Sequence, residues 1–170
     1  MSYLEGKRAY LSGAIQYSTD ENWRIEPKRI LTQEFKIDLF DPACSEKQVH
    51  TTTLQEAKNK RDFPTIRKIA KDFVGADLSR VDRTDILIAY LPKGIRTCGT
   101  YHEVIISNSC KKPTLLVSDG NKAEIALWLY GFIRPEFMFD VWDNLYEYLR
   151  EVNTGKHMGN NRWNYVYGLI

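Results

Sequence analysis

Glu103 is the side chain with the most chemistry to offer. It closes the stretch Thr97-Cys98-Gly99-Thr100-Tyr101-His102-Glu103, a few residues after the apolar run Ile86-Leu87-Ile88-Ala89-Tyr90-Leu91. That order reads as a buried strand, a short loop, and a helix starting at Gly99 or Thr100 with a carboxylate in its first turn. A carboxylate there faces the crevice at the carboxyl ends of the strands, where open α/β sheets take small ligands. The positive field of a helix N-terminus keeps it ionised, available as a nucleophile or a base. The same field stabilises any acidic residue at a helix start by about 0.3–1 kcal/mol, so an ordinary helix-start Glu is the competing reading.

Other reactive side chains are sparse. The three cysteines, Cys44, Cys98 and Cys110, form no CxxC pair. Neither a disulfide framework nor a zinc site is indicated. Of the three histidines, His102 adjoins Glu103, and adjacent helical residues point about 100° apart, too far for a simple dyad. No metal and no cofactor are expected. With 24 basic against 22 acidic residues and a net charge of +2, there is no basic stripe of the kind that binds nucleic-acid polymers. No apolar run approaches the roughly 20 residues that span a bilayer. The first residues, Met1 to Arg8, lack the apolar core of a signal peptide, so no membrane association and a cytoplasmic location are expected.

The elements that must position Glu103 alternate between strand and helix. Arg8 to Gly13 reads as a first strand. Ser18-Thr19-Asp20-Glu21 offers capping residues for a helix over about 20–35, in which Pro27 forces a later start or a kink. Residues 37–40 read as a second strand closed by Asp41-Pro42, and 43–59 as a polar loop able to cover a site. A helix is expected over 62–83 and a third strand over 85–91, apolar enough to be covered on both faces. The helix over 99–108, a strand over 113–117, a helical turn over 122–129, a strand over 137–139 and a helix over 141–152 complete the pattern. Alternation of this kind makes right-handed βαβ units and a parallel sheet. Five strands point to a flavodoxin-like three-layer α/β fold of order 2-1-3-4-5, whose switch point lies between strands one and three. Residues 1–152 are expected to form this domain. Residues 153–170 would be a tail, with Trp163, Tyr165 and Tyr167 on one side of an extended segment, docked on its own or a neighbouring subunit.

Several pieces together resemble the nucleoside 2-deoxyribosyltransferase superfamily, including its 2′-deoxynucleoside 5′-phosphate N-hydrolase branch. Tyr10-Leu11-Ser12-Gly13-Ala14-Ile15, then Trp23-Arg24, is similar to the family's opening strand and loop. Asp41-Pro42 resembles its second-strand exit, and Asp77 followed by Thr84-Asp85 its second helix and third strand. Gly99-Thr100-Tyr101-His102-Glu103, then Lys112-Pro113, resembles the nucleophile helix and fourth strand. The ordered set runs from residue 9 to about 117, and more loosely to 152.

The resemblance implies cleavage of the N-glycosidic bond of a (deoxy)nucleoside or nucleotide. Glu103 would attack the anomeric carbon to form a glycosyl-enzyme, and a second nucleobase or water would resolve it. The oxocarbenium-like transition state of such reactions is stabilised by a nearby carboxylate. Tyr10 would orient that carboxylate, and Asp77 would contact the base and protonate its departing nitrogen. Ser12, Gly13, Trp23, Arg24, Arg96, Thr97, Gly99 and Thr100 would bind substrate, with Arg24 and Arg96 as phosphate anchors. Thr97 stands six positions before Glu103, where many of the transferases carry an acid; hydroxyls there suit the hydrolase branch. A homo-oligomer is also implied. Transfer is the primary expectation, hydrolysis of a 5′-monophosphate the alternative, and a nucleotide-binding module without chemistry the third. An electron-transfer flavoprotein rests on fold alone.

Overall fold

The computed structural model describes residues 2–15, 21–43, 51–95 and 97–169. Strands β1 (Arg8–Gly13), β2 (Asp38–Phe40), β3 (Ile86–Leu91), β4 (Thr114–Ser118) and β5 (Met138–Phe139) form one parallel sheet in the order β2-β1-β3-β4-β5. The helices are α1 (Ile25–Gln33), α2 (Thr51–Asn59), α3 (Phe63–Arg83), α4 (Cys98–Ser109), α5 (Leu127–Tyr130), α6 (Trp142–Asn153) and α7 (Asn164–Tyr167). This is the α/β architecture that the alternation of apolar runs predicts. The central strand β3 is apolar throughout and buried everywhere but Tyr90, as a strand covered on both faces must be. Each buried Leu or Ile there contributes about 1.5–3 kcal/mol.

Register decides what the two faces of β1 can do. Tyr10 lies opposite Leu87 and Ser12 opposite Ala89. Side chains alternate along a strand, so Tyr10 and Ser12 share one face while Leu11 and Gly13 share the other. Helices α3 and α4 pack together over the first face. On the other, α1 and α6 meet through the Phe35–Tyr146 ring contact and the Glu34–Arg150 ion pair. The ends of these elements are pinned by side chains. Asp62 caps α3 by accepting from the Thr65 amide at 3.2 Å, and Lys112 Nζ donates to the Val81 and Asp82 carbonyls that close α3. Asp85 accepts from the Arg8 amide at 2.8 Å, tying the starts of β1 and β3.

Three segments differ from their expected form. The helix over 20–35 is a 3₁₀ turn, Glu21–Arg24, followed by α1; Pro27 falls in the first turn, where its missing N–H leaves no hydrogen bond broken. The capping residues Ser18, Thr19 and Asp20 lie outside the described residues. Residues 51–59 are helix α2 rather than loop. Leu54 and Ala57 are its main apolar residues, too few for a clear period, yet Ala57 is buried. The tail is helical rather than extended: a 3₁₀ turn, Asn161–Trp163, runs into α7. Asn160 caps it by accepting from the Arg162 amide, and Gly168 closes it at φ +68°, a left-handed conformation that suits glycine. Trp163 is fully buried and donates to the Tyr148 hydroxyl at 2.8 Å, whereas Tyr165 is exposed. Among the described residues, no helix is long and apolar enough to cross a membrane.

Candidate active site

Glu103 lies at the carboxyl end of the sheet, where α4 crosses β1 and β3. It is 8% exposed, and both carboxylate oxygens are engaged by β1. The Tyr10 phenol donates to Oε1 at 3.0 Å, and the Ser12 hydroxyl donates to Oε2. Because α4 begins at Cys98, Glu103 is its sixth residue and sits in the second turn, not the first. The helix field fades within the first turn. It is therefore two charge-assisted hydroxyl bonds, more than the helix terminus, that meet the negative charge. Burial, then the charges of Glu103 and Asp77, push the Tyr10 phenol far above its ordinary range. It keeps its proton and remains a donor.

A second acid approaches from α3. Asp77 is 8% exposed, with Arg80 Nη1 3.6 Å from its Oδ1. The Arg80 guanidinium lies 4.4 Å over the Phe40 ring, which stacks parallel to Tyr10 at 6.1 Å. Asp77, Arg80, Phe40, Tyr10 and Glu103 thus form one continuous arc across β2, β1 and α4. Phe40 and Arg80 were not among the expected site residues. Both had a signal: Arg80 lies three residues from Asp77 on one helix face, and Phe40 is the register partner of Tyr10.

Gly13, Trp23 and Arg24 lie on the other side of the sheet's end. A Cβ at Gly13 would stand 2.5 Å from Trp23 Cζ2, so glycine admits the indole edge-on to the strand. Trp23 continues into an aromatic cluster with Tyr90 at 4.8 Å and Trp142 at 5.9 Å. Arg24, 7% exposed, donates to the Leu11 and Gly13 carbonyls at 3.0 Å each and to Asp41 Oδ1 at 2.9 Å. Those donors are spent on the protein itself. They hold the end of β1, and Asp41 is in turn held by Lys28 and the Ala43 amide.

The loop into α4 supplies hydroxyls. Thr97 and Thr100 are each 5% exposed, and among the described residues neither hydroxyl makes a hydrogen bond; Thr97 stands at the N-cap without capping. Gly99 is exposed at the start of the helix. Arg96 lies outside the described residues. Beside this loop opens a cleft of about 250 Å³ between the ends of β3 and β4, walled by Leu91, Thr97, Tyr101, Ser118 and Asp119 among others. Lys93 and Glu124, also in its wall, pair at 3.0 Å. Glu103 does not line the cleft; the two share only the first turns of α4. Among the described residues no cluster of His, Cys, Asp and Glu gathers to hold a metal ion.

No family model and no curated protein match the sequence. Among solved structures, a 2-deoxyribosyltransferase from Bacillus psychrosaccharolyticus superposes with a TM-score of 0.56 at 17% identity, over 81% of this chain and 89% of that one. A CMP N-glycosidase from Clostridium botulinum superposes with a TM-score of 0.48 at 19% identity, over 87% of this chain and 99% of that one. The first likeness establishes a shared fold, and to that extent it agrees with the resemblance read from the residues.

Proposed function

We propose that this chain cleaves the N-glycosidic bond of a deoxynucleoside and transfers the sugar to a second nucleobase, through a covalent intermediate on Glu103. The observation that carries the reading is a carboxylate, almost buried, clamped through both oxygens by hydroxyls of β1 at the carboxyl end of the sheet. A carboxylate of that kind is dry enough to be reactive and fixed enough to be aimed. One oxygen attacks C1′ of the sugar, the C1′–N bond breaks, and its electron pair leaves with the base. Asp77, on the base side, supplies the proton that the departing nitrogen needs. The acceptor base then attacks C1′ as its N–H proton passes to the Asp77 carboxylate, the glycosyl ester breaks, and the Glu103 carboxylate is restored. No metal or cofactor enters these steps.

One observation favours a second reading, hydrolysis of a nucleoside 5′-monophosphate. The Thr97 and Thr100 hydroxyls, unbonded among the described residues, lie at the N-terminus of α4, where main-chain amides and the helix field suit a phosphate. Water would then replace the acceptor base. In either case the partner is a small molecule, and the working form is a homo-oligomer, consistent with Leu127 and Trp128 standing 87% and 76% exposed side by side. The catalytic domain is residues 1–152, with 153–170 as its docked tail.

The test is incubation with deoxynucleosides plus a free base, and separately with deoxynucleoside monophosphates, followed by chromatography and intact-protein mass. Exchange of bases supports transfer, and release of base from the monophosphates supports hydrolysis. An added sugar mass that is absent in Glu103→Gln identifies the nucleophile. Nucleotide binding with no turnover and no adduct in the native protein would overturn the enzymatic reading and leave a binding module.

A further inference from the structure

Ser12 has a role that its place near the end of β1 does not announce. Both Ser12 and Tyr10 are 0% exposed, whereas Glu103 retains 8%. Ser12 has no surface open to solvent and its hydroxyl is bonded to Glu103, so a substrate that reaches the exposed part of Glu103 does not reach Ser12. The Ser12 hydroxyl carries one proton, and it is directed at Glu103 Oε2. Nothing else among the described residues engages that hydroxyl.

We infer that Ser12 is a positioning residue for Glu103 rather than a substrate contact: with Tyr10 it fixes the plane of the carboxylate, one hydroxyl to each oxygen. Two bonds from positions i and i+2 of one strand stop rotation about the last side-chain torsion, which is otherwise broad. A carboxylate held by one hydroxyl alone can turn away from the line of attack, and misalignment of this sort is costly to rate. The role rests on the proposed reading of Glu103 as nucleophile, but the geometry itself does not depend on which sugar or base is bound.

The experiment compares Ser12→Ala, Ser12→Val and Ser12→Thr with the native protein. Val and Thr have nearly the same shape, so they separate the hydroxyl from packing. Loss of a hydrogen bond to a charged group is expected to lower kcat by about tenfold or more. KM stays within about twofold, because the bond lost is not a substrate contact. Ser12→Thr recovers most of the rate lost in Ser12→Val. In parallel, ¹³C-labelled glutamate reports the pH at which the Glu103 carboxyl titrates. That pH moves upward in the Ala and Val variants and returns in Thr, because the hydroxyl favours the charged form. A raised KM with unchanged kcat would make Ser12 a substrate contact, and equal behaviour of Val and Thr would make it packing alone; either overturns the inference. If the native protein turns over no nucleoside or nucleotide, the glycosidic reading fails, while the carboxyl resonance still decides the role of Ser12.

Discussion

Arg24→Met separates an anchor for ligand from an anchor for the fold. The native guanidinium satisfies two main-chain carbonyls at the end of β1 and one oxygen of Asp41, in a site where the paired side chains are 8% and 5% exposed. Breaking a buried pair costs about 3–5 kcal/mol, mostly from the charge left behind. Asp41 keeps Lys28 Nζ at 3.2 Å and the Ala43 amide at 3.0 Å, which places the expected loss near the lower end, about 3 kcal/mol. Methionine preserves much of the apolar stem, so the loss reports the guanidinium: its hydrogen bonds and its place 4.2 Å over the Trp23 ring. At an m-value of about 2 kcal/mol per molar, urea unfolding would shift its midpoint down by about 1.5 M. The melting temperature would fall by about 6–12 °C for a chain of this size. Arg24→Lys restores charge but not the planar fork, and recovers less than half of the loss. A variant that unfolds at the native midpoint with an unchanged m-value, and loses only affinity for nucleoside monophosphates, would contradict a structural role for this side chain. Arg24 would then be the phosphate anchor that the sequence suggests.

Further outcomes follow from the same packing. Gly13→Ala drives a methyl to 2.5 Å from the Trp23 ring and is expected to cost about 1–3 kcal/mol, with a changed near-ultraviolet dichroism from the displaced indole; an unaltered melting curve would contradict it. Burial pushes the Tyr10 and Tyr146 phenols far up and Tyr148 up to about 12. The folded state therefore keeps protons that the unfolded chain releases above about pH 10, so this stability is complete below that pH and drains away as pH rises. The slope reaches about 1.4 kcal/mol per pH unit for each tyrosine; coincident urea midpoints at pH 9 and pH 11 would rule this out. Trp163→Ala empties a fully buried site and strips the Tyr148 hydroxyl of a donor. It is expected to cost about 3–5 kcal/mol, and a loss below about 1 kcal/mol on the same scale would mean that the tail contributes little to the fold.

Much of the fold was legible because its signals are local or follow from chirality. The apolar runs at residues 8–13, 86–91 and 114–118 stand out without neighbours, and the strand order follows from right-handed crossovers of short connections. What was not legible lies where the pattern is diluted. Helix α2 has few apolar positions and reads as loop. The aromatic residues of the tail alternate by accident of spacing. The capping pair Asn160 and Gly168, a better guide than the alternation, marks a helical turn between them.

The site shows where such reasoning stops. Handedness alone places α3 and α4 on one face, since both crossovers that carry them move the same way across the sheet, while the β1-to-β2 crossover moves the other way and puts α1 opposite. That Asp77 and Glu103 share a face is therefore derivable from the strand order. Which face of β1 they meet is not, because Tyr10, Leu11 and their neighbours are all compatible with a core, and a slip of one residue exchanges the faces. The discriminating residue is Ser12. A hydroxyl fully buried in a strand must find a partner, and Glu103, the one acid of α4, lies on the buried face of that helix with Thr100, Val104 and Ser107. The bond between them joins residues 91 positions apart, so no window along the chain contains both. The need for such a partner is nevertheless written in the serine, and the register of β1 to β3 converts it into a hydroxyl aimed at the carboxylate.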